Sequence, residues 1–383
     1  MKARTIFSMA LAAGVALFAA LGVAVATPAG LYHWDGATST LVSSSDTLEM
    51  ASSGSGNAYV QLADDNLYEF SGSSLSLVSN LPSGLESLVG AGNGTGYMVD
   101  GAGGTLFRLD GTTQNSIDTW GLGRMSIVGA GNGKGYMTVK NGTGTAASLW
   151  YLNGGTGGGG QATTGGNLPA GEFLDHFVGA GNGIGYMAET LSGRVARLNG
   201  IASPATIDTW GPNRITRLVG AGGITGTAYY MADDVNLFYL NGGTGGGGQN
   251  LVFNVPTMNN LVGAGSDNGY YDKDVDHKMF SLAGSTQAAY DTWGVGGVTS
   301  LVGGIESGGF AYMVRNNGQI WQIGGTTSAG EVLVGTFASA EIGEVIGLSD
   351  GTALYTVIPE PTTLALAIGV AACLGLFRRP KQS

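Results

Sequence analysis

The chain has one cysteine in 383 residues, and Cys373 sits in an apolar stretch near the C-terminus. The body before it has no thiol, which excludes disulfide staples, zinc-thiolate sites and a cysteine nucleophile there. Basic side chains are also scarce. There are 16, and Lys2, Arg4, Arg378, Arg379 and Lys381 lie at the two ends, leaving 11 against 27 acidic residues. Nucleic acid needs a basic stripe along its phosphates, so it is excluded as a partner. Cations or neutral, hydroxyl-rich polymers suit such a chain better. Charged residues amount to 11%, far below the roughly 25% of average globular proteins. Proline numbers only 9, and with glycine it reaches about 21% of the chain, under the roughly 25–30% of disordered Pro/Gly-rich sequence. The 43% hydrophobic residues call for a filled core. No segment between the ends carries a sustained helical period.

What is present is a repeat. Leu88 to Met98 reads Leu-Val-Gly-Ala-Gly-Asn-Gly-Thr-Gly-Tyr-Met, with close copies from Ile127 and Phe177 and more divergent ones from Leu218, Leu261 and Leu301. In Val-Gly-Ala-Gly, small residues along an extended strand permit close backbone approach. Asn-Gly then supplies the positive φ of a tight hairpin turn. A phosphate-binding reading of this glycine segment fails, because no Gly-Lys-Ser/Thr and no βαβ pattern accompany it.

Aromatic strands closed by turns run from Gly30 to Gly36, Leu67 to Gly72, Leu106 to Gly111, Leu149 to Gly154, Val195 to Gly200, Leu237 to Gly242, Met279 to Gly284 and Ile320 to Gly325. A second strand type is marked by Tyr59, Tyr97, Tyr136, Tyr186, Tyr230, Tyr270, Tyr312 and Tyr355. Spacings near forty residues are those of a four-stranded propeller blade, roughly 40–50 residues each. A double period supports the register: Asn80-Leu81-Pro82 returns at Asn167 and, as Asn-Val-Pro, at Asn254. Alternate units carry Asp-Thr-Trp-Gly from Asp118, Asp208 and Asp291, and the loop Asn153 to Gln161 is repeated letter for letter from Asn241 to Gln249. The first strand lacks a preceding partner and Ala353 to Val357 lacks a following one. These observations predict an all-β, single β-propeller over residues 27–357, with eight blades and seven as the alternative. Pairing of the N- and C-terminal strands closes the ring and removes its edges.

The ends read as addresses. Lys2 and Arg4, an apolar run from Ile6 to Val23 and the small-x-small Ala24-Val25-Ala26 describe a signal peptide over 1–26, a signal helix that signal peptidase cuts between Ala26 and Thr27. At the other end Ile358-Pro359-Glu360-Pro361 precedes 16 apolar residues, Thr362 to Phe377, and then Arg378, Arg379, Pro380 and Lys381. As a hydrophobic helix that run would be about 24 Å long, somewhat short of a bilayer core of about 30 Å, and the basic end would stay cytoplasmic. In its three ordered parts the 358–383 segment resembles the PEP-CTERM sorting signal. That resemblance implies an exosortase substrate, processed near Pro359, Glu360 and Pro361. It also implies a transmembrane helix that anchors the chain transiently in the inner membrane of a Gram-negative-type bacterium making extracellular polysaccharide, before release to the cell surface, outer envelope or extracellular matrix. A plain C-terminal membrane anchor is the alternative.

Within the body, candidates for chemistry are few. Asp272, Asp274 and Asp276 alternate as oxygen ligands of Ca2+ might be spaced, but the glycine and distal glutamate of an EF-hand are missing, and an exposed acidic hairpin fits as well. Asp233-Asp234 occupies the matching loop of the preceding unit. No other cofactor is implied. His33, His176 and His277 fall at unlike repeat positions and make no ligand spacing. No nucleophile elbow surrounds any serine, and Arg108 and Arg197 are repeat-equivalent, hence placed on separate blades. Trp120, Trp210 and Trp293 are equivalent too; they suit either sugar stacking or inter-blade packing. The expectation is an exported, non-enzymatic propeller that binds or scaffolds extracellular polysaccharide or an envelope protein. A glycan lyase or hydrolase with carboxylates at the channel mouth is the alternative.

Overall fold

Small residues dictate the centre of the molecule. The computed structural model describes residues 29–358 apart from 82, 141–146, 169–173, 224, 255–257, 274–277, 293–296, 304–308, 326–329 and 338–341. Thirty-two strands, numbered in chain order, form eight four-stranded antiparallel sheets among the described residues. Each sheet is a blade, and its first strand is the inner one. Blades 1 to 7 span 47–80, 85–119, 125–167, 174–209, 215–254, 258–292 and 298–336. Blade 8 is composite: β31 (Ile342–Gly347) and β32 (Ala353–Val357) are joined by β1 (Gly30–Trp34) and β2 (Ser39–Ser43) in the order β2-β1-β32-β31. Gly30 lies opposite Val357 and Trp34 opposite Ala353. The eight-bladed ring closed by both termini is therefore what the structure has.

The glycine of each Val-Gly pair explains the repeat. A Cβ on Gly129 would lie 1.7 Å from the Gly90 carbonyl oxygen, and one on Gly179 would lie 1.6 Å from that of Gly129. Gly220, Gly263 and Gly303 continue the chain of contacts from blade to blade. Any side chain would push neighbouring inner strands apart. Asn93 and Gly94, at φ 56° and 73°, make the hairpin turn that the sequence demands.

Outside this ring seven of the eight blades clasp the next through a buried tyrosine. Tyr59, Tyr97, Tyr136 and Tyr186 donate their hydroxyls to the carbonyls of Gly94, Gly133, Gly183 and Gly226 at 2.7–2.8 Å. Tyr229 donates to Asp267, Tyr270 to Gly309 and Tyr312 to Gly351. Two of the expected marker residues are thus off by one. Val219 faces Tyr229 rather than Tyr230, and in blade 8 Ile346 faces Leu354 rather than Tyr355. The clasp residue is the third after the last turn residue, a glycine in every blade but the sixth, where it is Asp267, and the adjacent tyrosines obscure that in the sequence. Leu354 makes the last interface apolar, packed with Leu31, Met50, Val60 and Leu348.

No helix among the described residues is long and apolar enough to cross a membrane. The two helical elements described are 3-10 turns, Gly157–Gly159 and Gly245–Gly248. The expected transmembrane helix is corrected on this ground, and with it the membrane as a partner and transient anchoring in the inner membrane. Apolar side chains of the described chain alternate along strands and fill the spaces between blades instead. The stretches on which the helix expectations fell, 1–26 and 359–383, lie outside the described residues, as do Ala26, Thr27, Pro359, Glu360 and Pro361.

Candidate functional site

The inner strands enclose a central channel of about 480 Å³. Its wall is apolar side chain and backbone: Val89, Val128, Phe177, Val178, Leu218, Val219, Val262 and Ile346, with the ring glycines and Ser52 between them. No titratable side chain lines it among the described residues.

Polar groups appear one step beyond, where the inner strands begin. The residue two places before Ala51, Val89, Val128, Val178, Val219, Val262, Val302 and Ile346 is polar in every blade and takes five identities: Glu49, Ser87, Ser126, His176, Arg217, Asn260, Ser300 and Glu344 from blade 1 to blade 8. This position leans toward the following blade. Glu49 accepts the Leu88 N–H at 3.0 Å, and Arg217 donates to the Met258 carbonyl at 3.3 Å. By their shared position near the start of the eight inner strands, these residues make a collar at one end of the ring. Burial raises the Glu49 carboxyl above its usual range, opposed by the Leu88 hydrogen bond. It also raises Glu344, with Glu49 as a second, repulsive cause. Glu344 is exposed to solvent while walled in by protein on its other sides, as a concave mouth requires. The sequence singled out none of the collar but His176, and that only as a histidine without ligand spacing. The signal lay in comparing one column of the repeat.

Of the calcium candidate, Asp272 alone lies within the described residues. Asp272 is buried, accepts the Asn260 N–H at 2.9 Å and is raised by burial. Asp274 and Asp276 lie outside the described residues, with His277. Asp233 pairs with Arg214. No group of three or more His, Cys, Asp or Glu able to hold a metal occurs among the described residues. His33 is buried with its ring 4.9 Å from Phe70; burial lowers its pKa, against the pull of Asp350 and Asp35.

Trp120 packs at 5.1 Å against Trp150. Trp210 lies 5.2 Å from Phe238, carries the Arg214 guanidinium 5.5 Å above its ring and donates its indole N–H to Tyr230. Trp293 is outside the described residues. Arg108 and Arg197 stand in the third strands of blades 2 and 4, on separate blades as their spacing requires.

The two alternating sequence signatures prove to be halves of one inter-blade contact. Gln161, closing the glycine loop of blade 3, donates to Asp118 of blade 2 at 2.5 Å, and Gln249 does the same to Asp208. In blade 7 the corresponding residue is Glu331, hydrogen-bonded to Asp291. Burial, then the Asp291 carboxyl, push Glu331 up to about 7, opposed by Arg315.

No protein-family model and no curated protein matches the sequence. Solved structures do match in fold. AztD from Citrobacter koseri is similar at 10% identity and a TM-score of 0.50, over 80% of this chain and 95% of that one. Yeast RCC1 (Prp20), in its complex with Kap60, is similar at 9% identity and a TM-score of 0.51, over 89% of this chain and 91% of that one. Prolyl oligopeptidase B from Galerina marginata reaches a TM-score of 0.53 at 10% identity, over 81% of this chain but 54% of that one. Identities this low show a shared β-propeller fold and nothing about activity.

Proposed function

We propose that this chain is an exported, non-enzymatic β-propeller that binds extracellular polysaccharide or an envelope component at the collar end of its channel. The observation that carries this reading is the division of labour at that end. Among the described residues the channel wall offers no titratable side chain and a single hydroxyl, that of Ser52, while the collar offers one variable polar side chain per blade at a single repeat position. Catalysis draws unlike groups from non-equivalent positions into one pocket; a binding surface needs only varied contacts on a rigid support. The signal-like start, cut between Ala26 and Thr27, and the tail around Pro359, Glu360 and Pro361 support export and terminal processing as a PEP-CTERM-type passenger.

The test is retention of the purified mature protein on the producing bacterium's own exopolysaccharide and on envelope extracts, with mass spectrometry of captured partners. Failure on both would sink the reading. Glu49 and Glu344 give the glycan lyase or hydrolase alternative its one specific support, because they are neighbouring, desolvated carboxyls. Release of sugar fragments by the wild-type protein, abolished in Glu344→Gln, would establish that alternative instead.

A further inference from the structure

Charge around the collar is not scattered. Glu344 and Glu49 stand on blades 8 and 1, and His176 and Arg217 on blades 4 and 5. In a ring of eight blades these pairs are half a turn apart. The four positions between them hold serine or asparagine, so the fold itself accepts a small neutral residue in this column. The charges are therefore not needed to build the ring, and they carry a cost. Glu49 and Glu344 repel one another in a partly desolvated place, and the Glu344 carboxyl accepts no hydrogen bond from any described residue. Two like charges in such a site become favourable when a cation settles between them. Opposite them Arg217 places one nitrogen on the Met258 carbonyl, and the guanidinium has further N–H donors for an anion.

We propose that the collar recognises a zwitterionic ligand, its ammonium held by Glu49 and Glu344, its carboxylate by Arg217 and His176, and an apolar spacer laid over the aliphatic mouth of the channel. This rests on the reading of the collar as a binding site and names the chemistry of what binds. A bare divalent ion fits less well. It wants six or more oxygens, and no third His, Cys, Asp or Glu joins the two glutamates among the described residues. The wall beneath, with Met50, Phe177 and Leu218, matches methylene groups rather than a hydrated ion.

Isothermal titration calorimetry of the mature protein against ω-amino alkanoates of increasing length, with n-alkylamines and alkanoates of equal length as controls, tests this. The best ω-amino alkanoate should bind at least about tenfold tighter than either single-charge control, one salt-bridge equivalent of about 1.4 kcal/mol. Glu49→Gln combined with Glu344→Gln should bring it down to the level of the alkanoate; glutamine keeps an oxygen for the Leu88 N–H, so the fold is spared. Arg217→Gln should bring it down to the level of the alkylamine. Equal affinity for all three probes, or loss of both selectivities in either variant, overturns the proposal. If the exopolysaccharide or an envelope partner is retained while no ω-amino alkanoate binds, this inference falls and the binding reading stands; if nothing is retained, both fall.

Discussion

A single exchange of amide for carboxyl separates three otherwise equivalent contacts. Asp118 with Gln161 and Asp208 with Gln249 are carboxylate–amide pairs. Asp291 with Glu331 is a pair of carboxyls, and burial, then the Asp291 charge and hydrogen bond, push Glu331 from its ordinary 4.5 up to about 7. The sign follows from linkage: a carboxyl whose folded pKa is raised stabilises the fold below its unfolded pKa, and that contribution is lost as pH rises through the folded value. Stability should fall between pH 4.5 and about 7, by about 1 kcal/mol once solvent screening at this half-exposed site is allowed for. Urea unfolding across that range should show the decline in the wild-type protein and a flatter profile in Glu331→Gln; parallel profiles would refute the assignment. At the same scale, Tyr136 bridges two blades, donating to the Gly183 carbonyl at 2.7 Å and accepting the Gly200 N–H at 2.8 Å. Tyr136→Phe leaves both buried backbone groups unpaired, and calorimetry should record a loss of about 2 kcal/mol.

The inner strand is the element that the sequence discloses best, because its constraint is steric and repeats. Val-Gly-Ala-Gly-Asn-Gly told of a small-residue strand and a turn with positive φ, and the structure places both. Gly129→Ala should therefore cost more than about 3 kcal/mol or prevent folding, since its Cβ would meet the Gly90 oxygen at 1.7 Å. Gly158→Ala, in an exposed turn with nothing within 4 Å, should change stability by less than about 0.5 kcal/mol. Equal melting temperatures for the two variants would remove the packing account of the repeat. The second strand was less legible. Adjacent aromatics at 229–230 and the Leu354-Tyr355 step hide which residue points at the next blade, and only the offset from the turn resolves it. The collar was illegible for a related reason: a motif is read from what repeats, whereas Glu49, His176, Arg217 and Glu344 matter through being unlike.

At the scale of the whole ring, seven blade interfaces carry a tyrosine clasp and the eighth does not. That interface, between blades 8 and 1, relies on the apolar cluster around Leu354 and Leu31 and on one Gly56 N–H bond to Ser349 at 3.0 Å. Its strength comes from topology, since β1 and β2 complete a sheet that residues 342–357 only begin. Because Gly30 and Val357 face each other across β1 and β32, a short turn could join them without strain. A circular permutant of 30–357 with that turn, opened at Gly158, should remain monomeric and melt within a few degrees of the parent, about 2–4 °C per kcal/mol for a domain this large. Deleting 29–43 should have the opposite outcome. It exposes the open edge of β32 and removes Leu31 and Val42 from the Leu354 cluster, so size-exclusion chromatography should find oligomers or aggregate. If the deletion variant elutes as a monomer and melts with the parent, closure by the terminal strands does not hold the ring together. Separately from closure, Glu49 and Glu344 stand on blades 1 and 8 at this same interface, and raising the salt concentration to screen their repulsion should raise the melting temperature.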